Sequence, residues 1–160
     1  MAFLKGISII FLGIGVLFTS VENLTAGDVP DAEEIGKEIA NNVSEEFVIC
    51  AAFYSICTEA VSRSGDPQTV PRYEEAFDAA LYYALTAAKK GRTQEMAEKV
   101  TLARLELYMK SMTGEIDNDM GNISILLNKY LYRCILVMEN PAKVFDDWSE
   151  KIFRKYGLQE

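Results

Sequence analysis

The sequence predicts an all-α protein, an antiparallel bundle of four to five helices preceded by a signal peptide. The first observation is an apolar segment, Phe47 to Cys57, in which only Ser55 is polar. It is too short to span a bilayer, and a helix that is apolar on nearly every side has to be covered by other helices. The second observation is that the later segments repeat apolar residues at helical spacing rather than in alternation. We therefore interpret residues 47–57 as the centre of the bundle.

The N-terminal segment has the three parts of a secretory signal peptide. Lys5 gives it a basic start, residues 6–18 form a continuous apolar run, and residues 19–27 are a tail of small and polar residues. The apolar run is too short for a comfortable membrane span. An uncleaved N-terminal anchor is the alternative interpretation.

Cleavage is predicted after Ala26 or Gly27. It would leave residues 1–27 as the signal peptide and residues 28–160 as a single helical-bundle domain. Export to the periplasm or the medium implies an oxidising compartment, in which disulfides persist. Once the signal peptide is removed, no interaction with a membrane is expected.

The composition argues against several classes of function. The net charge of -8 opposes binding to nucleic acid or to anionic membrane surfaces, because phosphate binding needs clustered Lys and Arg. The chain has no histidine, which removes Ser-His-Asp and Cys-His catalysis, His-ligated metals and covalent haem attachment. We expect no cofactor.

The first predicted helix runs from an acidic start at Asp31, where negative charge favours the helix N-terminus, to about Arg63. A turn at residues 64–67 leads to the second helix, which starts there or at Pro71, because the residue before a proline is kept out of the helical region. The inward residues of the first helix are Ile35, Ile39, Val43, Phe47, Cys50, Tyr54, Cys57 and Val61, and those of the second are Tyr73, Phe77, Leu81, Ala84 and Ala88.

The second helix is expected to end at two lysines followed by Gly91 as a glycine cap. Thr93 is the predicted cap of the third helix. The inward residues expected for the third helix are Met96, Val100, Ala103, Leu107 and Met109.

The fourth helix is predicted from about Asp117 to Met138, after a break at residues 113–118. One continuous helix from Thr93 to Glu139 is the alternative, because the apolar phase continues through the break. Such a helix would be about 70 Å long, and its second half would lack a partner long enough to cover it. The inward residues expected for the fourth helix are Met120, Ile123, Leu127, Tyr130, Cys134 and Val137.

Asn140 as a cap and Pro141 in the first turn predict the start of a last helix, which ends at Gly157. Its expected apolar stripe is Val144, Phe145, Trp148, Ile152 and Tyr156.

The three cysteines, Cys50, Cys57 and Cys134, all follow the predicted signal peptide. Cys50 and Cys57 lie roughly 10 Å apart along one helix, too far to bridge. If the helices alternate up and down, Cys134 is offset along the axis by roughly 5 Å from Cys50 and by roughly 15 Å from Cys57. We therefore predict a Cys50–Cys134 disulfide with Cys57 as a buried free thiol. Three reduced cysteines packed as small hydrophobic residues are the alternative.

A polar cluster at the start of the fourth helix contains Asn118, Asp119 and Asn122. These residues are candidates for a polar pocket or a weak cation site with oxygen ligands. They equally suit a helix N-cap and first turn. The spacing does not fit a calcium-binding loop, so no metal ligand and no catalytic residue is assigned.

Three stretches carry a family resemblance: CAAFY at residues 50–54, NDMGNISILLNKY at 118–130, and RCILVMENPAKVFDDW at 133–148. Together with the Ala- and Glu-rich middle of the chain, they resemble a group of small exported bacterial helical proteins of unknown function. The resemblance implies a Gram-negative periplasm as the source. It implies no activity and no catalytic residue.

We interpret the chain as an exported helical-bundle protein that binds a protein or a small apolar ligand and is not an enzyme. One alternative is an enzyme or cation-binding protein that uses the polar cluster from Asn118 to Asn122. Another is a membrane-tethered accessory subunit whose N-terminal segment stays uncleaved. The sequence leaves the identity of the partner and the oligomeric state open.

The first testable prediction concerns export. N-terminal sequencing of the protein recovered from the periplasm or the medium should begin near Gly27 or Asp28, because signal peptidase removes the segment before that point. Recovery of the chain in the membrane fraction with Met1 as its first residue would contradict this prediction and favour the tethered alternative.

Overall fold

A computed structural model describes residues 30–66 and 68–158, and the predicted signal peptide lies outside them. The described part is all helical and contains no strand. Two 3₁₀ turns, Lys89–Gly91 and Met120–Asn122, connect some of the helices. The five helices are α1 (Ala32–Ser64), α2 (Val70–Ala88), α3 (Gln94–Glu115), α4 (the continuous segments Ile123–Leu126, Leu127–Leu131 and Tyr132–Glu139) and α5 (Pro141–Lys155).

Helix α1 begins and ends where the sequence places it. The side chain of Asp31 caps the helix by accepting a hydrogen bond from the backbone N–H of Glu34 at 2.8 Å. Gly65 ends it with a φ of 80°, a left-handed conformation that costs glycine little. At about 1.5 Å per residue the helix is about 50 Å long, so it runs the length of the bundle.

The core is built around α1, as predicted. Between Phe47 and Cys57 only Ile49 and Ser55 are not fully buried. Burial of each large apolar side chain contributes about 1.5–3 kcal/mol. The large side chains that are essentially inaccessible to solvent are Phe47, Phe53, Ile56, Met112, Ile116 and Leu126.

Pairs of contacts fix the helix directions. Phe47 contacts Tyr83, and Tyr54, further along α1, contacts the earlier residue Tyr73. Helix α2 is therefore antiparallel to α1. Arg104 hydrogen-bonds to Asn41, and Tyr108, one turn later on α3, hydrogen-bonds to Glu45, one turn later on α1. Helix α3 is therefore parallel to α1. In α4 the order is reversed again, because Phe53 meets Tyr130 whereas Cys50 meets Cys134. The first four helices therefore alternate up and down, as the sequence predicts.

The face that α3 buries differs from the predicted one. The side chains that it buries are Ala97, Thr101, Leu105 and Met112. Met96, Ala103 and Leu107, which were predicted to point inward, are exposed instead. The reason is that α3 is apolar on more than one side, and its small residues Ala97 and Thr101 face the core. A hydrophobicity count therefore selects the wrong stripe.

The predicted break after α3 is confirmed. Helix α3 ends at Glu115, and the two following turn residues, Asp117 and Asn118, are left-handed, with φ of 55° and 59°. Asp and Asn tolerate this conformation better than most residues. Helix α4 starts later than predicted, at Ile123, because residues 120–122 form a 3₁₀ turn.

The C-terminal helix α5 starts at the predicted cap, since Asn140 accepts a hydrogen bond from the N–H of Lys143 at 3.1 Å. Its end is tied to α1 by Glu38, which binds Lys155 at 2.7 Å and the hydroxyl of Tyr156 at 2.8 Å. These hydrogen bonds lower the pKa of Glu38. Phe145, which was predicted to be part of the inward stripe, is 50% exposed, because Val144 and Ile152 form the buried face.

Gly91 has a different role from the predicted glycine cap. Gly65 and Gly157 are the glycines with positive φ in the described chain, so Gly91 does not adopt the left-handed cap conformation. A Cβ atom at this position would lie 2.7 Å from Cγ of Lys37. Gly91 is thus suited to the close approach between the 3₁₀ turn and α1.

The predicted cysteine pair lies at disulfide distance. The Cα atoms of Cys50 and Cys134 are 5.3 Å apart and their sulfur atoms 2.19 Å apart, whereas Cys57 is a buried free thiol. Beside this pair, Nε of Arg133 donates to Glu46 at 3.1 Å. Together, these contacts hold α4 against the middle of α1.

We predict that oxidised protein contains a Cys50–Cys134 bond and that its removal destabilises the fold. The bond would join two residues that are 84 positions apart in sequence. For a loop of this size the chain-entropy model gives about 4 kcal/mol of stability. Peptide mapping without reduction tests the link, and urea unfolding of Cys50→Ala/Cys134→Ala tests the energy. The matched control is Cys57→Ala, which removes a buried thiol but no cross-link. A Cys57–Cys134 link, or no difference in stability on reduction of the wild type, would contradict the prediction.

Candidate functional site

The strongest candidate site is a cleft at the C-terminal end of α1. It has a volume of about 300 Å³, which is at the small end of the range for ligand pockets. Helices α1 and α2, the 3₁₀ turn at Met120–Asn122 and the start of α4 form its walls. Its apolar lining includes Ala60, Val61, Met120, Ile123 and Leu127.

Local irregularities of the backbone shape the wall opposite α1. The left-handed residues Asp117 and Asn118 reverse the chain, and Asp119 then caps the 3₁₀ turn by accepting a hydrogen bond from the N–H of Gly121 at 2.8 Å. A π-helical turn, Leu127–Leu131, begins at a residue that lines the cleft. π-turns inside α-helices occur frequently at functional sites.

The remaining lining residues include two titratable groups, and both are neutral at pH 7. Burial raises the pKa of the Cys57 thiol from 9.0 to about 12. Burial, and secondarily the nearby Cys57, raises the pKa of the Tyr73 hydroxyl. Tyr54, whose ring centroid lies 6.3 Å from that of Tyr73, has its pKa raised to about 12, mainly by burial. The lining of the cleft therefore offers apolar surface and neutral polar groups. It offers no thiolate nucleophile and no general base.

A more polar hollow of about 360 Å³ adjoins the cleft, and we call it the mouth. The two hollows share Ala60, Ser64, Met120 and Gly121. The side chains that the mouth adds are Arg63, Asn118 and Asp119. Arg63 is already paired with Glu59, one turn earlier on α1.

The three sequence-predicted pocket residues separate into two roles. Asn118 and Asp119 line the mouth. Asn122 does not, because its side-chain nitrogen donates to the carbonyl of Ile116 at 3.3 Å and braces the turn. Within the described residues, no group of three or more His, Cys, Asp or Glu side chains could hold a metal ion. Asn122 thus has a structural role in the turn, whereas Asn118 and Asp119 lie at the mouth.

The sequence did not reveal the residues of the apolar part. Cys57, Val61, Met120, Ile123 and Leu127 were assigned to the core because they fit the helical period. Helical periodicity cannot show that the helices packed against α1 end before α1 itself ends. The available signal was Asn118 and Asp119, which marked the correct end of the bundle but not the apolar space behind it.

A second hollow of about 300 Å³ lies between α4 and α5. Its lining includes charged side chains that are already paired: Glu46 binds Arg133, and Asp147 binds Lys143. The first pair joins α1 to α4 and the second lies within α5, so these charges are already engaged and this hollow is a weaker candidate than the cleft beside Cys57.

No protein-family model matches the chain, and neither a curated protein nor a solved structure does. Among the described helices, none combines the length and the hydrophobicity needed to cross a bilayer. The functional conclusion therefore depends on the chemistry of the cleft and its mouth.

The state of Cys57 gives a prediction for the pH dependence of stability. The unfolded chain releases the thiol proton near pH 9, whereas the folded protein holds it until about pH 12. The unfolded state therefore binds fewer protons in this interval, and stability falls as pH rises from about 9 to 12. Urea unfolding at pH 8 and pH 10.5 should show a smaller loss in Cys57→Ala than in the wild type. An equal loss in both proteins would contradict the assignment.

Proposed function

We propose that the chain is an exported, non-enzymatic binding protein for a small, mostly apolar ligand that carries a polar end. The ligand occupies the cleft beside Cys57 and places its polar end in the mouth lined by Asn118 and Asp119. The observation that carries this proposal is that the two hollows adjoin and share four lining residues, and that one is apolar and neutral whereas the other is polar. Binding sites for small molecules combine a largely apolar lining with a few polar groups.

The chemistry of the lining supports binding rather than catalysis. A thiol nucleophile acts as the thiolate, and the raised pKa keeps Cys57 protonated. The carboxylate of Asp119 is engaged with the N–H of Gly121, and Arg63 is engaged with Glu59. The polar groups are thus suited to orienting an uncharged end group, and the apolar walls supply most of the affinity.

Two observations support export of this protein. The N-terminal residues 1–27 have the composition of a signal peptide, and Cys50 and Cys134 lie at disulfide distance. A bond between them would persist in the periplasm or outside the cell. In that setting the protein would capture its ligand from an aqueous compartment.

The proposal predicts binding of an uncharged fluorescent probe, N-phenyl-1-naphthylamine. We expect a dissociation constant on the order of 10 µM, since a small apolar cleft supplies limited buried area. Val61 lines the cleft, so Val61→Trp should fill it and weaken binding by about tenfold or more. A fluorescence titration measures both values.

The matched control is Ser62→Trp. Ser62 is the next residue on α1, is exposed and does not line the cleft. This variant should bind the probe as the wild type does. The proposal is wrong if the wild type fails to bind the probe, or if both tryptophan variants bind it equally.

A further inference from the structure

We propose that two copies of this chain associate through an antiparallel pairing of their α3 helices. The interaction surface consists of an apolar stripe, Met96, Ala103 and Leu107, and a neighbouring charged stripe, Glu95, Lys99, Glu106 and Lys110. This inference is independent of the ligand-binding proposal, because none of these residues lines the cleft or its mouth.

Within the described residues, the apolar stripe is left exposed, without a helix packed over it. Met96 is 49% exposed and Leu107 is 62% exposed, and Ala103 lies between them on the same face of α3. The residues recur at intervals of seven and four, which is helical spacing on one face. The small side chain of Ala103 at the middle of the stripe lets a second helix approach closely.

The charged stripe runs beside the apolar one. Glu95, Lys99, Glu106 and Lys110 are exposed, and within the described part of the chain they form no ion pair with one another or with other residues. Their charges sum to zero on a chain whose net charge is -8. This face is therefore the place where two acidic subunits can meet with little repulsion.

The order of the charges indicates that a second copy of the chain covers this face. It also indicates that the two α3 helices run in opposite directions. Along α3 the signs are minus, plus, minus, plus. Each charge has a charge of opposite sign at the same distance on the other side of a point between Leu102 and Ala103. In an antiparallel pair centred there, Lys99 faces the partner's Glu106 and Glu95 faces the partner's Lys110. Twofold symmetry repeats each pair, giving four ion pairs.

A parallel pair would have the opposite electrostatics. Lys99 would face the partner's Lys99, and Glu106 would face the partner's Glu106. Charges that flank an apolar helix seam determine which partner and which orientation are favoured. In the antiparallel arrangement the two apolar stripes run side by side, with Ala103 beside the partner's Ala103 and Met96 about 3 Å along the axis from the partner's Leu107, so apolar groups also meet.

The test is sedimentation equilibrium of protein expressed from the full chain, at low and at physiological salt. We expect a reversible dimer in the micromolar range, weakened by salt. Lys99→Glu or Glu106→Lys alone replaces two attractive pairs by repulsive ones and should raise the dimer dissociation constant by about tenfold. The double variant restores opposite charges across the interface and should return the constant to within about threefold of the wild type.

Matched controls carry the same charge changes away from α3. Lys89→Glu and Glu74→Lys alter exposed residues that form no ion pair within the described chain, and they should leave the dissociation constant unchanged. A protein that stays monomeric at 200 µM, roughly a hundredfold above the range expected for a micromolar dimer, overturns the proposal. Single variants without effect also overturn it, because a parallel or purely apolar contact would give that result, and so does a double variant that fails to recover.

Discussion

The burial of α1 between Phe47 and Cys57 constrains the placement of every other helix. A helix that is apolar on all sides cannot leave one side to water without a loss of about 25 cal/mol for each Å² exposed. Helix α2 covers one side through Tyr73 and Tyr83, and α4 covers another through Tyr130. Helices α3 and α5 complete the cover, and the bundle has no other layer in the part that the structure describes.

The two surfaces proposed for function both arise where this cover is incomplete. Helix α2 begins only at Val70, and the chain that would cover the end of α1 is a short 3₁₀ turn, so a cleft remains beside Cys57. Helix α3 contacts the core through small residues, Ala97 and Thr101. Its larger apolar side chains therefore stay outside, available to a second subunit.

The sequence predicted those features that depend on local chemistry. The caps at Thr93 and Asn140 are confirmed, because a side-chain oxygen at a helix start can accept a hydrogen bond from a free backbone N–H. Asp31 was predicted as an acidic helix start, and its side chain is also the cap of α1. The helix directions follow from the short connections between successive helices. The buried face of α3, the π-turn and the cleft were not predicted, since each depends on how closely neighbouring helices approach, which hydrophobic periodicity does not record.

The wall of the cleft is held in place before any ligand arrives. Helix α4 is fixed to α1 at Cys134, and it is fixed to the end of α3 by Glu115, which binds Lys129 and the hydroxyl of Tyr130, each at 2.8 Å. The anchors lie within and beyond the π-turn that starts at Leu127, so the cleft-facing end of α4 needs little further ordering. A preformed site lowers the entropic cost of binding. Under the proposed function, the neutral lining would leave selectivity among ligands to size and shape, at about 0.8 kcal/mol for each buried methylene.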